Sequence, residues 1–355
     1  EIIKIIYLIN IKFNKDISKM SNSNVHGIGD NTNGNNDPYS QDDSTPLFYK
    51  IQYKGDPREQ SIPNFLKQTI CPFFRFKSFS FNIIIVNIVI FIATLFPHGL
   101  EQNSLDKYFL PPSQQTLHEV GDLDGVKIRS KFVHAYRWIS GNLLHAYFSH
   151  ILFNSFAILV IGTMLEYLIG TWRYIAIYCI SGILGSLFSV LVDFYTRSVG
   201  ASICICGLIT AEIGYYIINW GALPRIFGTQ NRCCLIMIPI VIAFMCIPIF
   251  YNSSGSGVDD SSNINMYGHL GGLIFGFFSS FIFIKPTDES DTCCLTYKLL
   301  FYCGIVICAG FALIGFPCFY LLDEYKGPVI YPDELDKLKD ESRPVNRPKP
   351  EHLFI

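Results

Sequence analysis

At 355 residues and a formal net charge of −2, the chain has no basic surplus with which to hold a nucleic acid. Half of its residues are hydrophobic and only 16% are charged, against about 25% in ordinary soluble domains. Most of the chain therefore does not meet water, which excludes a soluble enzyme of ordinary composition.

Residues 1–19 are rich in Ile, Lys and Asn, too short and too charged to span a bilayer, and lack a signal-type cleavage region. They read as a translated upstream leader, with synthesis starting at Met20. Residues 20–65 are rich in Asn, Ser, Asp, Gly and Pro and are expected to be disordered, because they have little apolar surface to bury. Residues 1–78 thus form an N-terminal region, mostly disordered.

A membrane span needs about 20 predominantly apolar residues. Seven segments meet or approach this: 79–97, 145–166, 171–192, 200–219, 233–251, 266–284 and 297–322. All are expected to be helices, since an exposed strand edge in lipid leaves backbone groups unpaired. The fold class is an all-α membrane protein, with a core at 79–284, a linker and seventh span at 285–322, and a charged tail at 323–355. Lys67, Arg75, Lys77, Arg173, Arg225, Arg232, Lys285 and Lys298 gather on one face. The opposite short loops hold Arg197 and then Asp259 and Asp260, so the N-terminus is expected in the cytosol. The polar loop 98–144 is too long to weigh much in that rule.

That loop contains none of the twelve cysteines, so no secreted disulfide framework is expected. Cys233–Cys234 and Cys293–Cys294 flank apolar runs, where they read as boundary cysteines open to S-palmitoylation. Neither pair has the separation that tetrahedral zinc ligation needs, so no metal is expected.

Polar groups at membrane depth are costly and mark function by default. In the second span, His150 and Asn154 lie four apart and share one helix face. Both can donate hydrogen bonds to a developing oxyanion, although such a pair alone more often binds neighbouring helices together. His145 points well away from that face and is assigned to anchoring the preceding loop. Ser202 opens the fourth span after Gly200 and Ala201, and by itself would be a packing residue. His269 lies on the sixth span among Gly268, Gly272 and Gly276, a ridge facing the partly small Ile203, Gly207 and Ala211. Small residues on facing helices let backbones approach closely, as a Ser–His hydrogen bond requires. Glu212, deep in the fourth span, is read as snorkelling and given no role.

Together these residues resemble the rhomboid intramembrane proteases over about 79–284. The family pattern is an aromatic-Arg pair, HAxxxHxxxN, GxxxE, GxSG and AHxxGxxxG. Here it reads Tyr136–Arg137, then His145–Ala146 to His150 and Asn154, Gly162 to Glu166, Gly200–Ala201–Ser202, and Gly268–His269 to Gly272 and Gly276. The resemblance implies a six-helix core with an added seventh C-terminal helix, as in eukaryotic secretory-pathway members. It implies Ser202 as nucleophile and His269 as general base, with His150, Asn154 and the Ser202 N–H as oxyanion hole. Arg137, His145, Glu166 and the three glycines of the sixth span become structural supports, with Glu166 tying down the loop beside Thr171. No cofactor is implied. The substrates would be single-pass transmembrane proteins within the bilayer of Golgi, plasma or endolysosomal membranes. Three positions depart from the pattern: Tyr136 stands where a Trp precedes the Arg, Ile203 replaces a glycine and is expected to crowd the Ser–His contact, and Cys206 replaces an aromatic that packs on the imidazole. An alternative is therefore a catalytically impaired relative that binds membrane clients and steers their trafficking.

Overall fold

The computed structural model describes residues 73–102, 105, 108–195, 197–223, 265–287 and 292–322, and the backbone of 353–354, all within the unit Asp43–Ile355. The expectations for residues 1–72, for the fifth span at 233–251 with Cys233–Cys234, and for most of the tail lie outside the described residues.

The first apolar helix, α1 (Phe79–Thr94), starts where Ser78 accepts a hydrogen bond from Phe81 N. Its beginning is held by a distant carboxylate. Glu166 accepts from Phe79 N and Ser80 N, both at 2.8 Å, and from Ser80 Oγ at 2.7 Å. A negative group beside the unpaired N–H donors of a helix start is favourable on both hydrogen-bond and dipole grounds. The same carboxylate accepts from Thr171 Oγ1 at 2.8 Å, so it joins α1 to the turn that follows its own helix.

The loop 98–144, to which the sequence assigned no elements, is organised. It carries α2 (Gln114–Val120), β1 (Leu123–Asp124), α3 (Gly125–Ser130), a tight turn of 3-10 type at Phe132–Tyr136, and α4 (Arg137–Ser140). After it come α5 (Phe148–Ile169), widened by a π-type turn at Ile158–Gly162, and α6 (Thr171–Val192). Arg173 therefore lies in the first turn of α6 rather than in a loop, donating to Ile169 O. Next are β2 (Arg197–Ser198), α7 (Ser202–Ile218), α8 (Met266–Phe283), α9 (Cys294–Leu321) and the short β3 (Leu353–Phe354). β1 pairs antiparallel with β2, and β3 adds to β2 in parallel.

Four of these helices, α5, α6, α8 and α9, are long and apolar enough to cross a membrane, and the chain is an all-α integral membrane protein. Helices α1 and α7 are apolar but shorter, at 16 and 17 residues. The 17 residues of α7 extend about 26 Å, short of a hydrocarbon core about 30 Å thick. The shortfall falls at the Ser202 end: Ile203 packs on Gly185, and α6 runs on to Val192. Those seven residues span about 10 Å of helix. The chain from Asp193 to Ala201 must descend that distance without helical hydrogen bonds, which lipid tolerates only where the backbone is buried in protein or lines a polar cavity.

Helix α8 lies between α6 and α7. A side chain on Gly272 would strike the backbone of Ile203, and one on Gly276 would overlap Gly207. On its other side, a Cβ at Gly271 would lie 2.8 Å from Gly185 Cα. Thr210 Oγ1 donates to Leu273 O at 2.7 Å across the seam. Glu212 does not snorkel. It is buried and accepts from Tyr216 OH, one turn along the same helix.

A buried ionic clasp fastens the 98–144 loop to the segment before α7. Asp122 Oδ1 accepts from Arg137 Nη1 at 2.6 Å, and Oδ2 accepts from Arg197 Nη2 at 2.7 Å. Arg137 also donates to the carbonyls of Asp122 and His118. Burial by itself pushes the Asp122 carboxyl up, but the His118 hydrogen bond and the Arg197 charge outweigh it and hold it below its usual range. His118, Asp122 and Asp124 stand close enough to share a cation, yet two guanidinium groups already engage Asp122. Because the folded carboxyl is depressed, its stabilisation is complete above the unfolded carboxylate range and is lost as pH falls through the folded value. Asp122→Asn leaves Arg137 charged and buried without its counter-ion, which should cost about 3–5 kcal/mol. Thermal unfolding in detergent at neutral pH checks this, and the gap between variant and parent should narrow under strong acid.

Candidate active site

Ser202 is the first residue of α7, so its backbone N–H has no partner within the helix. The two residues before it set its position. Gly200 has φ +135°, a conformation L side chains rarely adopt, and its N–H donates to Gly141 O at 2.9 Å. A Cβ on Gly200 would lie 2.6 Å from His150 Cε1, 2.8 Å from His150 Nε2 and 3.5 Å from Ser202 Oγ. The His150 ring and the Ser202 hydroxyl thus converge on the space left empty by one glycine.

His269, in the first turn of α8, is 5% exposed. Its Nε2 stands 2.7 Å from Ser202 Oγ, and its Nδ1 stands 2.6 Å from the carbonyl oxygen of Asn265. A carbonyl can only accept, so in the neutral ring the proton sits on Nδ1 and the lone pair on Nε2 faces the hydroxyl. The hydroxyl then donates to that lone pair. This is the arrangement a nucleophile and a general base require.

On α5, His150 Nδ1 and Asn154 Nδ2 are buried without a hydrogen-bond partner. A buried polar atom left without a partner costs about 1–3 kcal/mol, so two on one helix face call for a ligand or a functional reason. His145 is placed differently from expectation. Helix α5 starts only at Phe148, so helical spacing does not govern residue 145. Its ring is fully buried, stacks edge-on against His150 with centroids 5.1 Å apart, and contacts Leu143 O through Nδ1. Arg137 and Glu166 lie away from the dyad, in the clasp and at the start of α1. Gly268, Gly272 and Gly276 line the α7–α8 seam.

Ile203 turns its branches into the hollow over Gly185, Gly268 and Gly272, and the Ser202–His269 contact beside it is 2.7 Å. Cys206 is buried one turn after Ser202. A cavity of about 10 Å³ adjoins the dyad, lined by Ser202 and His269 together with Asn142, Ser186, Ser198 and Asn265. Sequence reasoning missed Asp122, Gly185, Gly271 and Asn265. Of these Asn265 carried a signal, as an N-cap type residue directly before an apolar run and four residues ahead of His269.

Comparison with known proteins gives a match to the Rhomboid domain family over residues 133–286. The putative rhomboid protease YdcA of Bacillus subtilis is 33% identical over 156 residues, covering 43% of this chain and 70% of that protein. Rhomboid-like protease 2 of Toxoplasma gondii is 30% identical over 226 residues, covering 63% of this chain and 72% of that protein. RHOMBOID-like protein 5 of Arabidopsis thaliana is 33% identical over 183 residues, covering 50% and 53%. The chain spans about half the length of RHOMBOID-like proteins 5, 1 and 4 of Arabidopsis thaliana.

A methyl at Gly200 adds backbone strain of about 1–3 kcal/mol and pushes against the His150 ring. Gly200→Ala should therefore abolish reaction of Ser202 with a fluorophosphonate probe, measured by in-gel fluorescence in isolated membranes.

Proposed function

The chain belongs to the rhomboid family of intramembrane proteases, and on that premise we propose that it is a serine endopeptidase cutting single-pass transmembrane proteins near the lumenal end of their span. The observation that carries the reading is the 2.7 Å contact between Ser202 Oγ and His269 Nε2, with the Nδ1 proton committed to Asn265 O. As Ser202 attacks the scissile carbonyl carbon, its proton passes to His269 Nε2. The carbonyl oxygen gains negative charge and is met by the Ser202 N–H at the start of α7, aided by His150 and Asn154. The imidazolium then protonates the leaving amine, the C–N bond breaks, and an acyl-enzyme remains. Water, deprotonated by His269, attacks the ester and restores Ser202.

An intact substrate helix shields its carbonyls. Good substrates therefore carry Gly, Ser or Pro near the cut, where unwinding costs least. Hydrolysis in a bilayer needs a polar cavity open to the lumen, and the polar 98–144 loop, which carries Arg137, supplies its wall. The Lys and Arg of the short loops support a cytosolic N-terminus, and the added C-terminal helix supports membranes of the secretory pathway. In this proposal residues 79–284 form the catalytic core, 285–322 the linker and seventh helix, and 1–78 and 323–355 appended regions.

Ile203, where the family carries a glycine, favours a second reading: an impaired relative that retains membrane clients without cutting them. One experiment separates the two. Ser202→Ala and His269→Ala should each lower cleavage of a co-expressed single-span reporter by at least about a thousandfold at unchanged protein level. Cleavage by Ser202→Ala at the parental rate would remove the nucleophile assignment. No cleavage by the parent, with activity emerging in Ile203→Gly, would support the client-binding reading.

A further inference from the structure

The geometry points to Asn265 as a positioning residue for this chemistry, one that fastens the helix of the base to the segment before the nucleophile and aims the carbonyl that orients His269. This rests on reading Ser202 and His269 as nucleophile and base. The Asn265 side chain is 4% exposed and uses both ends of its amide. Oδ1 accepts from Gly268 N at 2.8 Å and from Ser189 Oγ on α6 at 2.7 Å. Nδ2 donates to Ser198 Oγ on β2 at 2.9 Å, four residues before Ser202. The backbone carbonyl accepts from His269 N at 3.1 Å and from His269 Nδ1 at 2.6 Å.

Every residue has a carbonyl, and what distinguishes this one is how it is aimed. Asn265 precedes α8 with φ −68° and ψ 79°, and its carbonyl takes only the first bond of the helix ladder, from His269 N at 3.1 Å. The three side-chain contacts add the remaining restraint. They bind the peptide that orients the base to α6 and, through Ser198, to the strand that delivers the nucleophile. Rotation of that peptide would release the Nδ1 proton from its acceptor and let the ring swing off Ser202. A displacement near 1 Å at a reacting pair can cost about a hundredfold in rate.

The plain alternative is that Asn265 serves only as a helix cap. Capping needs one acceptor, which Ser or Asp supplies about as well as Asn. A serine hydroxyl is too short to reach Ser189 and Ser198 together. An aspartate reaches both, with Ser198 turning its hydroxyl to donate, and its charge is welcome at a helix start.

The test measures labelling of Ser202 by a fluorophosphonate probe in the full-length membrane-embedded protein, separating the maximal rate kinact from the affinity KI, alongside thermal unfolding. Asn265→Ser should unfold near the parental temperature, with kinact lowered about 10- to 100-fold and KI within about twofold. Asn265→Asp should restore kinact to within about threefold of the parent. Parental kinact in Asn265→Ser, or an equal loss in folded Asn265→Asp, would overturn the proposal and leave the dyad standing. Should Asn265→Ser fail to fold, the aspartate variant decides by the same criterion. A parent that never labels at Ser202 overturns the dyad reading, and this proposal with it.

Discussion

Two backbones meet without side chains between them, and the rest of the molecule depends on that meeting. Gly272 and Gly276 of α8 stand against the backbone of Ile203 and Gly207 on α7, while Gly271 stands against Gly185 on α6. Lipid tails are as apolar as leucine, so no hydrophobic force drives these helices together. Close packing and the Thr210–Leu273 hydrogen bond do so instead. At the end of this seam a serine and a histidine on different helices come within 2.7 Å. A side chain at Gly276 or Gly272 would widen the seam and part them.

Proximity alone would leave the segment before Ser202 unsupported. It is held from two directions: the Asp122 clasp ties Arg197 to Arg137 and the long loop, and Asn265 ties Ser198 to the base helix. Both ties act on the same two-residue strand, β2, a few residues before the nucleophile. The Asp122 clasp thus acts on the geometry of the site from a distance, while the same loop meets it directly where Gly141 O accepts from Gly200 N.

At the opposite end of the bundle, Glu166 collects the exposed N–H donors of α1 and the hydroxyl of Thr171. This carboxylate at a helix boundary replaces water for donors that would otherwise face a low-dielectric surround. The added helix α9 presents much of its surface outward, with Leu299, Val306 and Leu313 exposed. It joins the core through Phe319 against Trp138 and through Gly304, where it meets the Phe278 carbonyl.

What the sequence determined by itself was whatever depends on spacing along one helix or on chemical type. Apolar length marked the spans, a four-residue interval put His150 and Asn154 on one face, and the glycine ridge around His269 announced a close contact. The tertiary structure decided what depends on where helices stop and on partners far apart in the chain. That α5 begins at Phe148 moved His145 out of helical register and onto His150. That α7 begins only at Ser202 sank the serine below the end of α6. Asp122 reaches Arg197 across 75 positions and Asn265 reaches Ser198 across 67. No local pattern encodes such pairings, because each exists only once folding has already placed both partners.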